Sequence, residues 1–173
     1  GVMDGYVRTF ADMGSYVISG GNFTTVRKAD TSANVARSNI VSFDKSTGNI
    51  RSFNPAPNGE VFKILPSGDG QTIFVAGGFS TVNGQSVRSI VKLDAVTGAR
   101  ISTFNPGAFD GRIHDLFLRN AVASGNGGDQ VELVRIALDS GQRGFDCIAR
   151  LGAHAQRVLV RSQLDRTLDP ELA

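Results

Sequence analysis

One cysteine, Cys147, and two histidines, His114 and His154, are the whole supply of thiol and imidazole in 173 residues. A lone thiol closes no internal disulfide and builds no cysteine-rich zinc site, so disulfide frameworks and zinc fingers are excluded. Cys147 is most simply a small buried apolar residue. His114 stands beside Asp115, the residue types of an acid–base couple. Neighbours on a strand point to opposite faces, however, which places the two poorly for a shared proton. The run Gly125-Asn126-Gly127-Gly128-Asp129 is glycine-rich but does not fit a dinucleotide fingerprint opening a helix, and a turn is the simpler reading. No G-x-S-x-G elbow, Walker loop, H-E-x-x-H or EF-hand pattern occurs. No catalytic, cofactor-binding or metal-binding residue is therefore assigned, and no cofactor is expected.

The composition sets the frame for these few groups. Hydrophobic residues make up 40% and charged residues 20%, enough apolar material for a packed core and against disorder. Lys+Arg 18 against Asp+Glu 16 leaves a net charge of +2, too weak a field to recruit nucleic acid. No apolar run approaches the roughly 20 residues that span a bilayer, and the start of the chain lacks the pattern of a signal peptide.

Internal repetition is the strongest signal. Gly20-Gly21-Asn22-Phe23-Thr24-Thr25-Val26 returns as Ala76-Gly77-Gly78-Phe79-Ser80-Thr81-Val82. Asp44 with Thr47-Gly48 returns as Asp94 with Thr97-Gly98, and Phe53-Asn54-Pro55 as Phe104-Asn105-Pro106. Asn58-Gly59-Glu60-Val61 returns as Asp110-Gly111-Arg112-Ile113. The order is kept and the separations are 50 to 56 residues, a repeat whose first copy carries a longer loop over 27–36. Each copy holds four apolar stretches of strand length: 6–10, 16–19, 39–43 and 49–53, then 60–65, 72–76, 89–94 and 100–104. Glycine-containing segments at 66–70 and 95–98 supply hairpin turns between them. The Gly-Gly pair reads as a place of close backbone approach rather than a phosphate cradle, since no helix follows it.

Consecutive four-stranded sheets that must bury both faces are accommodated by radial stacking as propeller blades. The fold expected is thus all-β, a β-propeller fragment of four-stranded antiparallel blades: about two clear blades plus a degenerate third. Residues 1–120 hold two blades and the first strand of a third, and 121–173 a degenerate blade or a divergent C-terminal segment. In this setting Ser67-Gly68-Asp69-Gly70-Gln71-Thr72 approaches the S-x-D-x-G-x-T Asp-box of sialidase-like propellers. Its Gly and Thr arrive one position early, and a hairpin turn is preferred. Asn22-Phe23-Thr24 is formally a glycosylation sequon inside the repeat signature. Over residues 5 to about 118 the repeated G-[NG]-F-[ST]-T-V, D-x-x-T-G and F-N-P elements resemble the bacterial delta-60 type β-propeller repeats. That resemblance implies an extracellular or cell-surface setting and carries no catalytic motif.

The last third differs. Only Phe145 of the 11 Phe lies beyond residue 120, and no Lys does, while six Arg do. Three accounts stay open: a degenerate blade in which Val122 to Asn126 parallels Val17 to Asn22 and Leu133 to Ile136 parallels Ile90 to Leu93; a helix over 146–162; or a segment translated in a shifted frame. Just over three repeats fall short of the four or more blades of a closed ring, so a fragment is expected, with open blade edges that invite self-association. Two functions fit. One is a non-catalytic binding or scaffold module for a protein or glycan ligand, with Glu60, Arg112 and His114 lining the channel at the starts of first strands. The alternative is part of a propeller enzyme, a hydrolase or lyase acting on glycans, which needs carboxylates converging from several blades.

Overall fold

The computed structural model describes residues 2–28 and 33–104, and, as strand backbone, 113–123, 130–138, 145–151 and 160–162. Every regular element among them is a strand. In chain order these are β1 (Val2–Met3), β2 (Tyr6–Asp12), β3 (Tyr16–Asn22), β4 (Thr25–Arg27), β5 (Val35–Ala36) and β6 (Ile40–Asp44). The second repeat contributes β7 (Val61–Pro66), β8 (Thr72–Gly77), β9 (Thr81–Val82), β10 (Gln85–Ser86) and β11 (Ile90–Asp94). Beyond it come β12 (Ile113–Ala123), β13 (Gln130–Leu138), β14 (Phe145–Leu151) and β15 (Val160–Ser162).

Three antiparallel sheets follow one another along the chain, in the orders β2-β3-β6, β7-β8-β11 and β12-β13-β14-β15. Small satellites, β1-β4-β5 and β9-β10, ride on the connection between second and third strands. The β9-β10 hairpin turns through Asn83 and Gly84, both at positive φ (52° and 71°), the backbone that an Asn-Gly pair adopts most readily. Its counterpart between β4 and β5 carries the longer loop.

The expected fourth strands of the first two repeats shrink to single bridges, Phe43 with Ile50 and Leu93 with Arg100. One further bond on each side, Arg51 N–H to Ser42 O and Ile101 N–H to Lys92 O, both 2.9 Å, ends the pairing. The reason lies in the F-N-P element. Pro55 has no N–H to give to a ladder, and Phe53, 0% exposed, leaves the sheet edge for the core. In the last third, Phe145–Leu151 and Val160–Ser162 are strands, which removes the helix considered for 146–162. The parallel drawn between Val122 to Asn126 and a second strand also fails. Val122 continues β12, an 11-residue first strand, and Leu133 to Ile136 belong to the second strand, β13, rather than to a third.

The sheets pack in sequence. β7 lies against β2 and β3, and β12 against β7 and β8. One apolar cluster joins Ile18 and Ile40 of the first sheet to Val61, Ile64, Ile73 and Leu93 of the second, with Phe53 among them. The fit is close at Gly20, where a Cβ would sit 2.5 Å from Val61 Cγ1 and 3.0 Å from Ile64 Cδ1. Across the same join the Ile64 N–H donates to the buried Thr9 Oγ1 at 3.1 Å. Glycine at this place lets the second sheet lie flush on the first.

Candidate functional site at the starts of the first strands

Each of the first two sheets begins with the same clamp. Asp4 Oδ1 accepts from the Thr24 and Thr25 N–H groups at 2.8 and 3.0 Å, and Asn58 Oδ1 accepts from Ser80 and Thr81 N–H at 2.8 and 2.9 Å. The glycine that follows packs onto backbone: a Cβ on Gly5 would meet Asn22 O at 1.9 Å, and one on Gly59 would meet Gly78 O at 2.4 Å. Asp4-Gly5-Tyr6-Val7 is therefore a further copy of Asn58-Gly59-Glu60-Val61, a match visible in the sequence once the repeat is extended back to residue 4.

Immediately after the clamp the ladder slips. Register shifts fall between Val7 and Thr9, between Val61 and Lys63, and between Ile113 and Asp115. Arg8, Phe62 and His114 thus hold the extra position of an irregularity repeated in all three sheets, a device that re-aims a side chain and bends the strand. The strict alternation that set His114 and Asp115 on opposite faces is interrupted at this point.

Between the first two sheets these positions meet. Arg8 Nε donates to Glu60 Oε1, and the Arg8 guanidinium lies 5.5 Å from the Tyr6 ring centroid and 5.3 Å from that of Phe62. The Glu60 bond holds the Arg8 pKa above its ordinary value. Arg8 keeps 48% of its side chain exposed and Glu60 18%, while Tyr6 is exposed and Phe62 buried, so a fixed cation, its half-buried carboxylate and one ring sit together at the surface, with Phe62 packed against the guanidinium from within. Such a group can hold the hydroxyls of a sugar or the polar groups of a peptide through oriented donors and one aromatic face. Of the residues singled out in the sequence, Glu60 is in this cluster. Arg112 lies outside the described residues, and for His114 the described feature is its place on β12. Arg8 and Tyr6 were missed, because a salt bridge between sheets depends on stacking that strand patterns do not encode.

The repeated aspartates have a different task. Asp94 Oδ1 accepts from the Val96 N–H, the Thr97 N–H and Thr97 Oγ1 at 3.0, 2.7 and 2.8 Å. Thr97 Oγ1 in turn accepts from Ala99 N–H at 3.2 Å, and Gly98 closes the turn at φ 75°. Asp44, Thr47 and Gly48 repeat the arrangement. Asp69 of the Asp-box-like segment caps its own hairpin, accepting from Gln71 and Thr72 N–H at 2.8 Å each. Burial raises its pKa, but bonds from Thr72 and Gln71, with the Lys92 charge beside it, leave it below the ordinary value. In the sequon, the Thr24 hydroxyl is taken up by Asp4, which ties that motif to the clamp. Cys147 lies on β14, opposite Val134 and Val160, while His154 and the run 125–129 fall outside the described residues. Among the described residues no group of His, Cys, Asp and Glu is arranged to hold a metal ion, and no helix is long and apolar enough to cross a membrane.

Compared with known proteins, the chain matches no family model, no curated protein and no solved structure.

Proposed function

We propose that this chain is a non-catalytic β-propeller module of a secreted or cell-surface bacterial protein, and that it binds a protein or glycan at the end where the first strands begin. The observation that carries this reading is the Arg8, Glu60, Tyr6 and Phe62 cluster, assembled from two sheets at a backbone irregularity that returns in the third. Sequential packing of similar sheets supports the propeller arrangement, and the repeat signature supports the setting. A glycan hydrolase of the usual two-carboxylate kind needs an acid with a raised pKa. Asp4, Asp12, Asp44, Asp69 and Asp94 are all shifted the other way, each held by hydrogen bonds, so none of these five is such an acid.

The test is a screen of the purified chain against an oligosaccharide array and a panel of extracellular peptides, repeated with Arg8→Ala and Glu60→Ala. The expected outcome is a ligand retained by the parent and weakened about tenfold or more by either change, with no product formed on incubation. Arg8 is half exposed but Glu60 only 18%, so binding is compared at a temperature where circular dichroism shows both variants folded as the parent is. Ligands bound equally by parent and variants place the site elsewhere and end this reading; released product revives the enzyme.

A further inference from the structure

Asn-Gly steps occur in the chain at Asn58, Asn83 and Asn126, the last of them outside the described residues. Asparagine followed by glycine can modify itself, because no side chain shields the next backbone nitrogen from the asparagine's own amide carbon. The fold treats the two described steps differently. Asn58 is held in the clamp by three bonds, its Oδ1 accepting from Ser80 and Thr81 N–H at 2.8 and 2.9 Å and its Nδ2 donating to Ser80 Oγ at 3.0 Å. Gly59 is packed onto backbone, with Gly78 O 2.4 Å from where a Cβ would lie. Asn83, by contrast, is exposed at the tip of the β9-β10 hairpin, whose pairing closes on Val82 and Gln85. Among the described residues its side chain makes a single bond, Nδ2 to Gly98 O at 2.9 Å, and a Cβ on Gly84 would meet nothing within 4 Å.

We propose that Asn83-Gly84 is a self-modification site, which converts to aspartyl and isoaspartyl forms in the folded chain while Asn58-Gly59 is protected, and that the conversion loosens the hairpin. The Gly84 nitrogen gives its proton to base and attacks Asn83 Cγ; that N–C bond forms as Cγ–Nδ2 breaks, and Nδ2 takes a proton and leaves as ammonia. Water then opens the cyclic imide. Cleavage between the Gly84 nitrogen and Cγ gives aspartate, and cleavage between that nitrogen and the Asn83 carbonyl carbon gives an isoaspartyl link, in which the main chain runs through the side chain. Nothing is oxidised or reduced. Either product reaches beyond the hairpin, because Asn83 ties it to two other segments. Its N–H donates to Pro55 O at 2.7 Å, in the connection between the first and second sheets, and its Nδ2 bonds Gly98 of the D-x-x-T-G turn. Aspartate has no donor for Gly98 O and sets a negative charge against it. The isoaspartyl link lengthens the backbone of a two-residue turn, so the pairs of Val82 with Gln85 and Thr81 with Ser86 must shift.

Peptide mapping by mass spectrometry tests it, on the folded chain and on the chain in urea held side by side at mildly alkaline pH. In urea the two steps convert at like rates, since both are Asn-Gly. In the folded chain Asn83 goes on converting, while Asn58 is slower than Asn83 by about tenfold or more, because three bonds must open there against one. Asn83 shielded as fully as Asn58, or the two converting alike in the folded chain, overturns the proposal. Asn83→Asp carries the aspartyl product from the outset and measures the consequence. Its folding equilibrium constant, read by urea titration, falls about fivefold or more with one bond lost and a charge left facing a carbonyl. A variant as stable as the parent shows the hairpin held without that bond and overturns the loosening.

Discussion

Four hydrogen bonds converge on Asp44 Oδ1, from the N–H and hydroxyl of Ser46 at 3.0 and 2.7 Å and from those of Thr47 at 2.9 and 3.0 Å. The Ser46 hydroxyl is the largest single cause of the fall in the Asp44 pKa from 3.8 to about 2. Each of these donors favours the ionised carboxylate. With the folded value below the unfolded one, the turn's contribution to stability is complete above about pH 4 and is lost as pH falls through about 2. Asp44→Asn keeps a side-chain carbonyl as acceptor but cannot ionise. Its melting temperature should therefore lose less than the parent's between pH 5 and pH 2, with the remaining acid sensitivity coming from the other lowered aspartates. Parallel melting curves for the two proteins across that range would show that the bonds do not discriminate the ionised form. The chemistry of the D-x-x-T-G motif is thus turn chemistry: an acceptor at the first position, a hydroxyl relay at the fourth and a left-handed glycine at the fifth.

At the scale of the strand, glycines record where backbones touch. A Cβ on Gly21 would lie 2.1 Å from Tyr6 O, and one on Gly77 2.1 Å from Glu60 O, so alanine at either must force the first and second strands of its sheet apart. Gly14 has φ +83° with nothing within 4 Å of such a Cβ. Urea titrations should show Gly21→Ala and Gly77→Ala destabilised by about 1–3 kcal/mol through overpacking, and Gly14→Ala by about 1 kcal/mol from backbone strain alone; the reverse order would contradict the close approach. The Gly-Gly signature was legible in sequence as such a place, because only close packing or a positive φ gives a repeated glycine something to do. Likewise legible were the first three strands of both repeats, whose apolar residues fall in short runs between turn formers. The fourth strands were not. Ile50 and Arg100 have strand-like neighbours, and only the departure of Phe53 into the core shows why the pairing stops. The bulges at Arg8, Phe62 and His114 were hidden for a related reason, since a register slip is a relation between two strands and leaves no mark on either one alone.

For the molecule as a whole the question is whether stacked sheets behave as separate units or as one. Gly20, Thr9 and Ile18 belong to the first sheet, Val61, Ile64 and Ile73 to the second, yet Ile18, Val61, Ile64 and Ile73 share a single cluster and the Thr9 bond crosses between the sheets. Neither sheet can shed the other without exposing that cluster, so the join couples their unfolding. Ile64, 2% exposed, stands at the join, and Ile64→Ala should cost about 2–5 kcal/mol as a buried large-to-small change. Val96→Ala, at a side chain half exposed on a turn (50%), should stay within about 0.5 kcal/mol of the parent. The coupling itself is read by native-state hydrogen exchange. If the two sheets open together, Ile64→Ala lowers protection of the Ile18 and Ile73 amides by the same factor, although one lies on β3 and the other on β8. Loss of protection at Ile73 with Ile18 unchanged would make each sheet its own cooperative unit. Each repeat would then contribute its own stability, with only a small term from the join.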